Sequence, residues 1–357
     1  MKKLLISLLV LVIIIATGCE QKYSLDQTLF IDSIGLDYNN EKNEYEIYYH
    51  IASSSTLLTN SLGGTSSETI YSIGKVSANS IYEGFNKITQ NSIKNITLTH
   101  VQSMILNFNF ITIENLHTIC DIVKTYDYIS PNFYIFATKS KLDDIYSLKN
   151  PENISPFFSL ITGNDFVTAY DLTYLTEIAR AMYEEFITPK LIVIEAKDNI
   201  WQNNDEKITS VAPIGNLYIK NNNEKVFLEL EKYKAISVIN HEVISTIVQD
   251  GISFRLHNNN IKIKEKNNKF KIIINGTFYA TGINVNNRNQ IKEYFNSFIK
   301  EEFEKIINDT KELDFDIFNL QDKLYRKSHF KDYDKEKSSF NYKATEIEII
   351  INYKLLS

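Results

Sequence analysis

A chain of 357 residues that is 43% hydrophobic and 12% aromatic can bury sizeable cores, and its length predicts two or three domains. A formal net charge of −6 excludes the broad basic surface of a nucleic-acid-binding protein, and two cysteines exclude a disulfide-rich scaffold. Twenty-two Tyr and twenty-one Phe, against one Trp, predict cores of mixed aromatic and β-branched filling.

The chain opens with Lys2 and Lys3, a thirteen-residue apolar run from Leu4 to Ala16, and the small residues Ala16-Thr17-Gly18 before Cys19. Thirteen residues in a helix rise only about 20 Å, short of the ~30 Å hydrocarbon core, so the run predicts a signal peptide and not a span. The small residues let an extended backbone enter a peptidase cleft. The thiol just after the cut is then the nucleophile that takes up a thioether-linked diacylglyceryl group. Residues 1–18 are therefore expected to be a lipoprotein leader and Cys19 the lipidated N-terminus, with two or more acyl chains giving stable anchoring. The alternative is an ordinary secretory signal with a chance cysteine at its end. Loss of Lys2 and Lys3 moves the formal charge to −8, so attachment should rest on the acyl chains alone, the body standing off the bilayer.

Residues 19–27 are polar and read as a short tether. From Thr28 the chain begins to fold: Phe30–Asp37 leads through the turn-rich Tyr38–Asn43 into Glu44–Ile51, two strands joined by a polar turn. Ser53–Thr69, rich in Ser, Thr and Gly, predicts an exposed, mobile loop that lacks the lysine and spacing of a P-loop. Val76–Ile93 carries Ala78, Ile81, Phe85 and Ile88 at helical spacing, and Asn95–Leu106 reads as a buried strand. Next come a helix with Leu116, Ile119, Cys120 and Val123 on one face, a buried strand at Pro131–Thr138, and the Lys141–Ser147 segment. Cys120 should be a buried, inert thiol. Leu172, Leu175, Ala179, Met182 and Phe186 mark a helix ended by Thr188-Pro189, and Lys190–Ala196 is a further strand. This order predicts an α/β domain over residues 28–196.

At Lys197 polar residues around the lone Trp201 suggest a linker, opening a small middle domain over residues 197–258. It contains the strand-like Ala212–Ile219, an Asn221-Asn222-Asn223 turn, Val226–Leu230, and a helix or strand at His241–Val248. The C-terminal domain, 259–357, holds a strand at Lys269–Tyr279 and a helix at Gln290–Asn308 with Ile291, Phe295, Phe298, Ile299, Phe303 and Ile306 on one side. In its last strand, Ile347, Ile349, Ile351 and Tyr353 share a sheet face. The expected fold class is α/β (α+β), with three domains, each a mixed or mainly antiparallel β-sheet with flanking helices.

Chemistry-bearing motifs are scarce. His50, His100, His117, His241, His257 and His329 are scattered without metal-ligand spacing, and no metal site is predicted. Nucleophile-elbow, dinucleotide-binding and Walker patterns are missing, so no catalytic residue and no cofactor is assigned. With 44 acidic residues, any chosen carboxylate pair reads first as solvated surface. His100 reads as a hydrogen-bonded core residue.

Several stretches together resemble one family. They are the lipobox at Cys19, Ile34-Gly35-Leu36-Asp37 with Tyr45-Glu46-Ile47, Ser80–Ile88, and Leu98–Ile105. The most specific are Asp314-Phe315-Asp316-Ile317-Phe318-Asn319-Leu320 and Leu324-Tyr325-Arg326-Lys327. These are similar to the C-subunit lipoproteins of bacterial spore germinant receptors, the Ger(x)C family, over essentially the whole chain. Two features depart from that pattern: Glu20-Gln21 stands where a Trp-Asp type segment is common, and Tyr353-Lys354 where many members carry an Arg-rich strand. The resemblance implies a three-domain α/β protein, without known enzymatic activity, lipid-anchored on the outer face of the spore inner membrane. Its implied partners are the integral membrane A-type and B-type subunits of a GerA-type nutrient germinant receptor, the B-type being the nutrient-binding one. Only Cys19 carries over with a defined chemical role. Two other readings compete: a solute-binding lipoprotein of an uptake system, with two lobes closing across a hinge, and a cell-envelope hydrolase with a strongly shifted carboxylate in a deep pocket.

Overall fold

The computed structural model describes residues 28–52, 72–90, 92, 95–126, 129–146, 175–184, 186–203, 206–239, 244–267, 269–282, 288–327 and 340–356. The leader, Cys19, the tether and the Ser53–Thr69 stretch lie outside the described residues.

The first sheet is mixed. Its strands are β1 (Thr28–Asn39), β2 (Glu44–Ala52), β3 (Ser72–Ala78), β4 (Asn95–Thr97), β5 (Ser103–Asn107), β6 (Tyr134–Thr138), β7 (Lys190–Asn203), β8 (Glu206–Ile219) and β9 (Lys225–Glu229). The order is β3-β2-β1-β5-β6-β7-β8-β9, with β4 also on β1; β1, β5, β6 and β7 run parallel, and hairpins extend the sheet at both ends. Interior parallel strands are covered on both faces, which is why Ser103–Asn107 is buried at every position. Three helices cover one face: α1 (Ile81–Gln90), α2 (Ile113–Thr125) and α4 (Leu175–Tyr183). Their Phe85, Ile119 and Ile178 join Met104, Ile135 and Val193 in one buried cluster. The short α3 (Leu142–Tyr146) covers the other face, where Ile105, Phe136 and Ile192 point, as the two-residue period of a strand requires. Thr112 caps α2 by accepting from the Asn115 amide at 3.1 Å.

Gly35, within the Ile34–Asp37 stretch, lies beneath the ring of Tyr146: a Cβ there would stand 2.6 Å from Tyr146 Cε2. The Tyr146 hydroxyl is held at 3.0 Å by Ser33, which in turn accepts from Ser103 at 3.0 Å, a buried chain joining α3 to β1 and β5. Pro213 and Gly215 sit at a bulge in β8, between the Val193–Gly215 and Ile194–Pro213 pairs. Gly215 has φ +155°, and a Cβ there would meet the Leu228 carbonyl oxygen at 2.1 Å. Gly215→Ala is expected to cost about 1–3 kcal/mol in urea unfolding, because the obstacle is backbone and not a movable side chain. No measurable loss would show that the bulge relaxes.

The second sheet, in the order β10-β11-β12-β13, holds β10 (Ile244–Gln249), β11 (Ile252–Lys266), β12 (Lys269–Gly282) and β13 (Glu346–Leu355). A short helix, α5 (Ile236–Ile239), precedes it, and α6 (Arg288–Glu312) and α7 (Leu320–Lys327) connect β12 to β13. β13 runs parallel to β12 because that connection crosses over the sheet, whereas the other pairs are antiparallel. Ile291, Phe295, Ile299, Phe303 and Ile306 form the buried stripe of α6, as the sequence spacing predicts.

Several expectations are corrected. Residues 76–78 end strand β3, and the helix begins only at Ile81. The Asn95–Leu106 run is two strands separated by a turn, with His100 exposed on that turn, edge-on to Phe30 at 4.7 Å. The polar stretch from Lys197 is no linker: β7 continues through it into a hairpin with β8. Nor does 197–258 carry a sheet of its own, since β8 and β9 extend the first sheet while β10 opens the second. Among the described residues there are thus two sheets, where the sequence predicts three sheet-bearing domains. Among the described residues no helix is long and apolar enough to cross a membrane.

Candidate functional site

Strands β1, β5 and β6 run parallel and finish side by side, so Asp37, Asn107 and the loop after Thr138 share one end of the sheet. Ligands of open α/β sheets bind outside such carboxyl ends. A cleft of about 800 Å³ lies there, flanked by Glu46 and Tyr48 of β2, Lys75 of β3 and Asp143 of α3. Lys75 Nζ is 2.8 Å from Glu46 and 3.8 Å from Asp143, and lies 4.6 Å from the centre of the Tyr48 ring. The Tyr48 hydroxyl donates to Asp143 at 3.0 Å.

The titratable groups of this cleft shift in different directions. Burial pulls the Lys75 pKa down, but hydrogen bonds to Glu46 and Tyr48 outweigh it and hold the ammonium above the usual lysine range. Burial pushes the Tyr48 phenol up. It also works against the Glu46 carboxylate, but the bonds from Lys75 and Asn39 keep that group below its ordinary value. Asp37, partly buried, is raised by burial, with its bond from the Tyr38 amide at 2.7 Å pulling the other way. A general acid or base needs a pKa near the working pH. Lys75, Tyr48 and Glu46 move away from that range while Asp37 moves toward it. The contacts of Lys75 and Tyr48 with Glu46 and Asp143 tie β2, β3 and α3 together.

The second feature is the junction between the two sheets. The Thr188 amide donates to Asn319 Oδ1 at 2.9 Å, the Thr188 hydroxyl donates to the Asp316 carbonyl at 3.2 Å, and Lys220 donates to the Leu313 carbonyl at 2.9 Å. Arg326 of α7 pairs with Asp322 at 2.8 Å and reaches across to Glu184. Beneath these contacts, Tyr218 of β8 and Val226 and Leu228 of β9 are buried in the same cluster as Phe254, Phe295 and Phe303 of the second half. The β8–β9 end of the first sheet is therefore packed into the core of the second.

The motif around Asp316 forms this junction. Its carboxylate is buried in front of α7, Oδ2 accepting from the Gln321 amide at 3.0 Å while Oδ1 has no partner among the described residues. Burial pushes its pKa up to about 6, against the pull of the amides of Gln321, Leu320 and Phe318. The spacing of Asp316 from the start of α7 is the sequence signal for this cap.

Cys120 is buried, and burial pushes its thiol up to about 11, which removes the thiolate needed for reactivity. His50, also buried, lies 2.6 Å from Asp32, the extra residue at a bulge in β1. Among the described residues no group of three or more His, Cys, Asp or Glu side chains is arranged to hold a metal ion. Lys75, Glu46 and Asp143 come from distant parts of the chain, and sequence reasoning missed them because no local pattern marks them.

Comparison with known proteins divides the chain within the β7–β8 hairpin of the first sheet. Residues 21–196 match the family described as spore germination protein N-terminal domain, and residues 203–356 match the spore germination B3/GerAC-like C-terminal family. The crystal structure of the GerBC protein superposes with a TM-score of 0.51 at 13% identity, covering 91% of this chain and 97% of that one, which shows a common fold. No curated protein matches. With both halves accounted for in chain order, the chain belongs to the GerAC-like family of spore germination proteins.

Proposed function

We propose that this chain is a non-enzymatic, lipid-anchored subunit of a nutrient germinant receptor, which acts by assembling with polytopic A-type and B-type membrane subunits. The leader is residues 1–18, Cys19 carries the lipid, and residues 19–27 are the tether. Nine residues reach at most about 30 Å at ~3.3–3.6 Å each, which keeps β1 close to the outer face of the spore inner membrane.

The observation that carries this proposal beyond family membership is the buried cluster that spans both sheets. A solute-binding lipoprotein needs two lobes that part across a hinge; here Tyr218, Val226 and Leu228 tie the first sheet into the core of the second. A packed body of this kind suits a subunit that holds a fixed shape against its partners.

The test has two parts. Affinity purification of the tagged chain from detergent-solubilised spores is expected to recover two multi-span proteins, and deletion of its gene is expected to abolish germination to one set of nutrients while receptor-independent triggers still work. A normal nutrient response after deletion sinks the proposal. Cys19→Ala is expected to move the chain from the membrane fraction to the soluble one; retention at the membrane removes the lipid from the account.

A further inference from the structure

The two long strands of the second sheet do not end together. β10 pairs with β11 only from Ile252 to His257, whereas β11 runs on to Lys266 and pairs with β12 along nearly its whole length. From Asn260 to Lys266, therefore, the side of β11 away from β12 has no strand beside it among the described residues. In an antiparallel edge, every second residue turns its N–H and C=O outward, and such a row is a template for one more strand.

The space beside this edge is shaped to receive one. A groove of about 600 Å³ runs between the two halves of the molecule, lined by Ile261 and Ile263 of the edge, by Ile178 and Pro189 of the first half, and also by the charged Arg180, Asp322, Lys323 and Arg326. Along the edge, Ile261 and Ile263 are half-buried toward the groove, followed on the same face by Glu265, which pairs with Lys327, while Lys262, Lys264 and Lys266 are exposed on the opposite face. None of these three lysines forms an ion pair among the described residues. They also face their own kind, since Lys264 is opposite Lys271 and Lys266 opposite Lys269, an arrangement that repels.

The sheet already shows what such a strand accepts as a neighbour. β12 repeats the pattern as Lys269-Phe270-Lys271-Ile272, and its other side is taken by Glu346-Ile347-Glu348-Ile349 of β13. There the register places Lys269 at 2.6 Å from Glu346 and Lys271 at 2.6 Å from Glu348, with the apolar residues of both strands on the shared inner face. β11 offers a similar alternation over Ile261–Lys264 and, among the described residues, has no acidic strand on that side.

We propose that the outer edge of β11 over Asn260–Lys266, beside which no strand lies among the described residues, docks an extended segment of a partner polypeptide in which acidic and apolar residues alternate. Main-chain hydrogen bonds to the edge hold the segment, apolar side chains enter the groove beside Ile261 and Ile263, and carboxylates face Lys262, Lys264 and Lys266. A second copy of this chain using the same edge is disfavoured, because it would set lysine against lysine. The proposal deepens the receptor-subunit assignment by naming a contact surface, and it rests on that assignment only for where the partner is found.

The test uses the full chain in detergent and a fluorescent peptide of sequence Ser-Glu-Val-Glu-Val-Glu-Val-Ser, followed by anisotropy. Saturable binding is expected, weakened about tenfold or more by the triple variant Lys262→Glu, Lys264→Glu, Lys266→Glu, whose exposed positions leave the fold intact by circular dichroism. A Lys-Val peptide of the same length is expected to reverse the preference and bind the triple variant. The Glu-Val peptide methylated on alternate backbone nitrogens is expected to bind much more weakly, because strand addition needs those N–H groups. No binding at about 1 mM peptide overturns the proposal, as does equal binding of the methylated peptide or of one with its glutamates in a single block. Binding to vesicles of anionic lipid through the same lysines, with no peptide binding, assigns the surface to lipid and overturns it too. These outcomes leave untouched the co-purification that judges the receptor-subunit assignment.

Discussion

Phe295→Ala is expected to destabilise the C-terminal half by about 3–5 kcal/mol, the range for removing a large aromatic from a packed core. The Phe295 ring is fully buried on the inner stripe of α6, with Phe278 at 4.4 Å, Phe254 at 4.8 Å and Tyr353 at 5.1 Å between ring centres. Those neighbours come from β12, β11 and β13, three strands locked in one hydrogen-bonded sheet, so none moves in alone to fill the hole. Urea unfolding followed by far-ultraviolet circular dichroism measures the loss. Phe295→Leu, which leaves a smaller void, should lose clearly less; equal losses for the two variants would show that ring packing is not what the site contributes.

Asp316 should make stability fall as pH rises through the mildly acidic range. In the unfolded chain its carboxyl titrates near the ordinary value of 3.8, and burial raises that to about 6 in the fold. Between these values the folded state binds more protons than the unfolded one, so each step up in pH favours unfolding. The cost is absent below about pH 4 and complete above about pH 6, and a shift of this size corresponds to about 3 kcal/mol. Asp316→Asn keeps an oxygen for the Gln321 amide and removes the charge. The variant is therefore expected to match the parent at pH 4 and exceed its stability by up to about 3 kcal/mol at pH 7, measured by urea unfolding at each pH. A constant difference across that range would rule out the buried charge as the cause.

Periodic stretches of the sequence translated directly into structure. The stripe from Ile291 to Ile306 is the buried face of α6, and Ile347, Ile349, Ile351 and Tyr353 all pack toward the second core. Composition misled where backbone pairing overrode it. The polar residues after Lys197 continue a hairpin because main-chain bonds to β8 do not depend on side-chain polarity. The run from Asn95 to Leu106 looks like one strand, yet β4 pairs with Thr28–Phe30 and β5 begins opposite Ser33. Between those pairings residues 98–102 stand against only Ile31 and Asp32 of β1, and the excess is taken up by a turn at Thr99-His100, which exposes His100 while Leu98 and Val101 stay buried. Such a break is set by the partner strand, and no local signal reveals it. The same holds for the strand-end cleft, whose Glu46, Tyr48, Lys75 and Asp143 meet only through sheet order. The alternation of lysine and isoleucine in β11 is plain in the sequence, but where its pairing with β10 runs among the described residues, Ile252–His257, is not.

The crossover that makes β13 parallel to β12 also sets the pace at which this half of the molecule matures. The paired segments, Lys269–Phe278 and Glu346–Leu355, are joined only through α6 and α7, so their contact carries a high sequence separation and a correspondingly slow closure. Until it closes, one flank of β12 is bare and Tyr353 is missing from the aromatic cluster. The hairpin of β11 and β12, being local, forms early, so refolding should show a fast phase with strand content and a slower one in which the tyrosine environment changes.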